Sequence, residues 1–317
     1  MALSHLPVLG KFLKPRSLAR DEEVHFYLLI SPWLFGFLLF TLGPIVASFV
    51  LGFTRYNIVK APQFSGLENY KLLMGDSLFW QSLKVTSLYV VFAVPLGIVG
   101  SLALAIVLNQ RIPGLSVFRT LYYLPNVISG VAVSLFWMWV LNPDFGVLNY
   151  LLWVLFRIKG PAWVFSETWV IPSFILMSLW NVGGPMLIYL ASLKGIPTHL
   201  YEAAELDGAN AWGKFWNITV PMITPVILFS LITGVIGSFQ VFTQAYVMTK
   251  GGPSYASLFY VLYLYQNAFF YFKMGYAVNR RPHCATRDRP MCTIRSRVMC
   301  TTHRRLDVYH LASVAAC

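Results

Sequence analysis

The chain has 317 residues, 57% of them hydrophobic and only 11% charged, and a formal net charge of +12. Soluble domains carry about 25% charged residues, so this composition excludes an ordinary soluble globule and describes an integral membrane protein.

The first 25 residues place Lys11, Lys14, Arg16 and Arg20 ahead of the apolar run Phe26–Phe53. At 28 residues, that run is too long for a signal-peptide core and lacks a small-residue cleavage exit. It is expected to remain as the first span, with segment 1–25 in the cytoplasm. Four further runs, Val85–Leu108, Thr120–Leu141, Trp169–Leu193 and Met222–Thr249, likewise hold no Asp, Glu, Lys or Arg. A bilayer core takes about 20 residues of helix, so each of the five is long enough to cross. The expected fold is an all-α polytopic membrane bundle of five spanning helices, with its transmembrane domain over residues 26–277. Leu148–Phe156 and Leu258–Phe272, aromatic-rich and on the outer side, are expected to lie along the interface rather than cross it. Alternation from a cytoplasmic N-terminus puts 110–118 and 194–221 inside. Lys and Arg outside the C-terminal tail divide eight against eight between the two sides, so the N-terminal cluster alone sets this orientation.

None of the five runs holds an ionisable carboxylate or amine, the equipment with which gradient-driven carriers harvest an ion gradient. Energy for uphill transport would therefore come from a partner. The dense charge between the runs is in Tyr201–Ala209, YEAAELDGA. Thr198 is placed to cap a helix over His199–Asp207, with Gly208 left-handed at its end. On that helix Glu202 and Glu205 share a face, and Ala203 and Ala204 present a low profile to an approaching backbone. Asn210 is placed to start a second short helix toward Pro221.

EAA, three residues, Gly208, nine residues and then Ile218-Thr219-Val220-Pro221 form one pattern. It resembles the EAA loop of binding-protein-dependent ABC importer permeases, with Val220 where that family commonly has Leu. The runs Ser31–Asn57, Gly66–Leu73 (GLENYKLL), YYLPNVIS around Pro125 and Thr249–Ser257 (TKGGPSYAS) are similar to maltose-type sugar-uptake permeases, from about Phe26 to Ala277. The resemblance implies that Glu202, Ala203, Ala204, Asp207, Gly208 and Pro221, in the loop 194–221, couple the bundle to an ATPase. It implies a second homologous permease, a cytosolic ATPase dimer, an extracytoplasmic solute-binding protein and a sugar as partners, in a bacterial cytoplasmic membrane. Membrane lipid is expected as surroundings; a nucleic-acid partner, a cofactor, a metal and catalytic residues are not.

Gly208-Ala-Asn-Ala-Trp-Gly213-Lys214-Phe215 fits a phosphate loop except at its last position. Such a loop needs Ser or Thr there for magnesium and a strand before it, so Phe215 argues against nucleotide binding. Asn181, Ser238, Gln240, Thr243 and Gln244 are uncharged polar groups at depths where lipid cannot satisfy them, and suit sugar hydroxyls. Trp180 and Phe239 offer faces for a pyranose. Small and polar residues also serve helix packing in membranes, so both uses stay open.

After Ala277 the resemblance stops where the family would run a last span. Val278–Cys317 contains eight Arg, no Lys, two Asp, three of the six His and all four Cys, and half the net charge. It cannot span. Cys284, Cys292 and Cys300 recur at a period of eight, without the close C-x(2–4)-C pairs of zinc sites. Disulfides, or a basic arm on lipid or nucleic acid, are alternatives. The preferred reading is a non-native tail produced by a frame slip or a short repeat insertion. Loss of the last span is expected to impair assembly or transport. A gradient-driven secondary carrier is the rival function; a membrane enzyme would need a catalytic cluster, and Asp144 and Glu167 are isolated.

Overall fold

The computed structural model describes residues 18–57, 60–110, 113–272 and 274–277. Lys11, Lys14 and Arg16 and the tail 278–317, with Cys284, Cys292 and Cys300, lie outside the described residues.

A backbone in lipid must satisfy its own N–H and C=O groups, and the long uncharged runs do so as helices. Helix α1 (Leu18–Phe37) passes through one π turn (Leu38–Leu42) into α2 (Gly43–Gly52). Pro44 has no N–H for the preceding turn, and the ladder widens there. The most apolar stretch of His25–Gly52 buries nothing against the remainder of the described chain. A hairpin follows, β1 (Thr54–Asn57) antiparallel to β2 (Lys60–Phe64), with Thr54 opposite Phe64. It is the one departure from an all-α fold among the described residues. Helix α3 (Glu68–Met74) carries buried Asn69, whose amide donates to the carbonyls of Gly52 (2.8 Å) and Thr54 (3.0 Å). That side chain pins the end of α2 to the hairpin.

Helix α4 (Ser77–Leu108) is the spine of the bundle. Its 32 residues measure about 48 Å at ~1.5 Å per residue, more than a hydrocarbon core needs. Asp76 caps its start, accepting from the Leu78 N–H at 2.9 Å. Then come α5 (Leu115–Tyr123), a 3-10 turn (Leu124–Val127), α6 (Gly130–Val140), α7 (Val147–Phe156), α8 (Val170–Leu179) and α9 (Gly183–Lys194). Past these lie α10 (Thr198–Leu206), α11 (Ala211–Lys214), a π turn (Phe215–Thr219), α12 (Val220–Phe239), α13 (Tyr260–Tyr265) with a π turn (Gln266–Phe270), and α14 (Met274–Ala277).

Three helices among the described residues are long and apolar enough to cross a membrane uninterrupted: His25–Gly52, Ser77–Leu108 and Ala211–Phe239. The expected span Thr120–Leu141 is not one helix. Leu115–Val127 and Gly130–Val140 are bent by 100° to each other, because Ile128 is extended and Ser129 caps a fresh helix. Trp169–Leu193 also divides, with a 45° bend between Val170–Leu179 and Gly183–Lys194. Each pair counts toward five spans only if taken as one. The expected run Met222–Thr249 starts earlier, at Ala211, and its helix stops at Phe239.

The second break packs against the last turn of α5. Gly183 lies so close to the backbone of Tyr122 that a β-carbon there would overlap its carbonyl oxygen. Only glycine permits that approach.

Two buried clusters share α4. One joins Tyr89 to Phe174 of α8 and to Leu258, Phe259 and Leu262; the other joins Leu108 to Tyr189, Leu190 and Leu193 of α9 and Ile223 of α12. The first overturns part of the expectation for Leu258–Phe272. Leu258, Phe259, Leu262 and Tyr263 are core residues, Tyr260, Leu264 and Tyr265 are half-buried, and Phe269–Phe272 are exposed. Their aromatic content belongs to ring packing, with Phe259 edge-on to Tyr89 at 5.3 Å and to Phe174 at 5.4 Å.

Candidate functional site

The loop 194–221 folds into two short helices joined at a sharp turn. Gly195, Ile196 and Pro197 are all that separate α9 from α10, and Ile196 is buried in the second cluster. The N-cap of α10 is Pro197, with extended backbone and no side-chain cap; Thr198, expected as the cap, is the first helical residue. Proline fits there because its missing N–H would have no helical partner. At the far end Gly208 is left-handed at φ +75°, as expected, and the Ala209 N–H returns to the Ala204 carbonyl at 2.8 Å. Asn210 caps α11, its Oδ1 accepting from the Gly213 N–H at 2.7 Å. Helices α11 and α12 then run on as one helical stretch, Ala211–Phe239.

The two faces of α10 differ. Leu200 and Tyr201 pack onto the cluster of Leu108, Tyr189, Leu193 and Ile223. Glu202, Ala203, Glu205, Asp207 and Gly208 face outward, and Ala204 is half-buried. Leu206 is 90% exposed, an unusual place for a leucine. Pro221 stands exposed at the root of α12.

Two side-chain contacts tie α10 to that root. Glu205 Oε1 pairs with Lys214 Nζ at 2.7 Å, and the Tyr201 hydroxyl meets Thr219 Oγ1 at 2.9 Å. Beside them is a cleft of about 290 Å³, bounded by Ile106 of α4, by Asn109 just past its end, and by Tyr201, Lys214, Phe215 and Thr219. Nothing local in the sequence announces the Tyr201–Thr219 contact, because the partners sit 18 residues apart across a turn. The phosphate-loop-like stretch 208–215 is a helix terminus followed by a capped helix, with no strand before it.

Of the candidate solute-path residues, the structure brings two together. Asn181 and Ser238 line an open pocket of about 140 Å³ with Tyr89, Ser101, Ser178 and Ser230. Ser178 and Asn181 stand one helical turn apart, a spacing that flags Ser178 in hindsight. Ser101 is occupied, donating to the Val182 carbonyl at 3.0 Å. Gln240, Thr243 and Gln244 fall beyond the end of α12 and are not among the residues lining this pocket. Gln240 is its C-cap, and Thr243 faces Gly130 at the start of α6. Trp180 is held between Phe136 (5.0 Å, stacked) and Trp137 (5.6 Å, edge-on). Phe239 is half-buried at the end of α12.

Comparison with known proteins agrees with this architecture. The family model described as the binding-protein-dependent transport system inner membrane component matches residues 97–274. The probable ABC transporter permease protein YesP of Bacillus subtilis (strain 168) is 44% identical over 268 residues, 83% of this chain and 86% of that protein. The lactose transport system permease protein LacF of Rhizobium radiobacter is 38% identical over 261 residues, 80% of this chain and 86% of that protein. In fold, the chain is similar to a subunit of a bacterial alginate ABC transporter solved in complex with an alginate pentasaccharide-bound periplasmic protein. That likeness has a TM-score of 0.69 at 23% identity, over 83% of this chain and 90% of that one. This chain therefore belongs to the binding-protein-dependent transport system inner membrane component family, and is a membrane-embedded transport subunit rather than an enzyme.

Proposed function

We propose that this chain forms part of the translocation path of an ATP-driven sugar or oligosaccharide importer in a bacterial cytoplasmic membrane. Its partners in this reading are a second permease, a cytosolic ATPase dimer and an extracytoplasmic binding protein. The lactose name of one relative and the alginate pentasaccharide complex of a fold neighbour support the solute class. Uncharged Asn181, Ser178 and Ser238 suit hydroxyl-rich solutes, and carry no charge that would couple to an ion gradient.

The ATPase docks, in this proposal, on the outward face of α10. Glu202, Ala203, Ala204, Asp207 and Gly208 make the contact, and Pro221 roots the loop in α12. The observation that carries the reading is the 90% exposure of Leu206 beside three carboxylates on a helix whose opposite face is firmly packed. An apolar side chain held out on a rigid polar knob is suited to a partner's pocket. The alanines let that partner come close.

Photo-crosslinking from Glu202 and Ala204 tests it, in native vesicles containing the co-expressed partners. Capture of a nucleotide-hydrolysing subunit from these positions, and none from Tyr150 on α7, is the expected result. Equal capture from all three positions, or none from α10, refutes it. The tail 278–317 is proposed to be non-native; this too is a reading of its composition.

A further inference from the structure

We infer that the hydrogen bond between Tyr201 and Thr219 is the joint through which movement of α10 reaches α12; this rests on the proposed docking of an ATPase on α10. Besides the apolar packing of Leu200 and Tyr201 on the cluster of Ile223, three routes lead from the outward face of α10 into α12, and they differ in stiffness. The first is the chain itself, which passes the left-handed Gly208 and the π turn Phe215–Thr219. Glycine turns and π turns are the compliant points of a backbone. The second is the Glu205–Lys214 ion pair. Glu205 is 65% exposed in its side chain, so water and salt screen the pair and its net strength is small.

The third is the Tyr201–Thr219 bond, and of these three it alone reaches the interior. Thr219 is 7% exposed, and the Tyr201 ring packs on the second core cluster. Thr219 Oγ1 also lies 3.4 Å from the Lys214 carbonyl, which can only accept. Thr219 therefore donates to Lys214, and Tyr201 donates to Thr219. This relay crosses the π turn from outside, bracing the segment most able to flex. A displaced Tyr201 thus pulls on a single helical run whose later residues, Ser230 and Ser238, line the 140 Å³ pocket. The 290 Å³ cleft beside Tyr201 leaves room for that stroke.

The test uses the full chain, assembled with its partner permease and ATPase in nanodiscs. Genetically encoded spin labels at His199 on α10 and Thr224 on α12 are each measured against one at Val99 on α4, with and without a non-hydrolysable ATP analogue. In the unmodified chain both distances should shift. With Tyr201→Phe or Thr219→Val, the His199 shift should persist while the Thr224 shift falls by at least half. Thr219→Ser, which keeps the hydroxyl, and Lys214→Gln, which removes only the exposed pair, should both behave like the unmodified chain. An undiminished Thr224 shift in Tyr201→Phe and Thr219→Val overturns the inference. So does loss of ATPase capture by either, since the bond would then set docking and not transmission. No His199 shift in the unmodified chain instead overturns the docking reading, and this inference with it.

Discussion

The Tyr263 hydroxyl donates to Asp76 Oδ2 at 2.9 Å, across 187 residues of sequence. The other oxygen of the same carboxylate caps α4, so one side chain both starts the longest helix and anchors α13 to it. Nearby, the Tyr260 N–H donates to buried Thr86 Oγ1 at 2.9 Å. The aromatic segment after residue 257 is thereby fixed to the spine at two heights.

Replacing Asp76 tests that double role. Asp76→Ala loses a cap, about 1 kcal/mol, and the hydrogen bond that Tyr263 donates to the carboxylate, about 1.5–3 kcal/mol more. Asp76→Asn keeps a capping oxygen and a polar partner, so it should cost much less. Thermal unfolding in detergent, followed by tryptophan fluorescence, should rank the unmodified chain above Asp76→Asn and Asp76→Ala lowest.

Glycines in the helical runs should respond with opposite signs. Gly183→Ala must push apart the backbones of α5 and α9, and should destabilise by roughly 1–3 kcal/mol or more, as overpacking does. Gly237 has nothing within 4 Å of where a β-carbon would stand. Gly237→Ala should therefore stabilise α12 by roughly 0.5–1 kcal/mol, the propensity gain alone. Midpoints from the same unfolding assay decide both.

Gly208→Ala separates conformation from contact. Nothing lies within 4 Å of the new methyl, yet φ +75° is costly for any side chain, about 1 kcal/mol. Gly208→Asn, better tolerated in that region, should recover much of the loss. Crosslinking yield from Glu202 to the ATPase should fall in the alanine variant and return toward normal in the asparagine variant.

For the tail, sequencing the DNA across the Ala277 codon should reveal about 20 apolar residues in another reading frame, the length of one span. Failure to find them would retire the proposal of a frame slip.

The sequence showed where apolar runs lie more clearly than how they bend. A count of uncharged residues found all three long helices, matching 25–52 closely but starting the second late, at Val85, and displacing the third to Met222–Thr249, because Lys84 and Lys214 sit inside the helices and cut the uncharged runs short. The same count joined Thr120–Leu141 into one span, since a hydropathy window does not register that Ile128 is extended. Signals for the break were present in Pro125, Asn126 and Ser129-Gly130, and Gly183-Gly184-Pro185 marked the second one. Gly208 and Asn210 were legible because turns and caps are local chemistry. Tyr201 and Thr219 were not, because their meeting depends on how α10 folds back against α12. The placement of Leu258–Phe272 failed for a related reason: a stretch rich in Tyr and Phe looks alike whether it faces headgroups or other rings.

The close approach of Gly183 to Tyr122 seats the start of α9 against the last turn of α5, ahead of the bend at Ile128 and Ser129. The contact has no room for even a methyl group, so any movement of α9 toward α5 is stopped there and must be shared by both helices. Two bends that a hydropathy plot would treat as independent are thereby joined through one backbone contact.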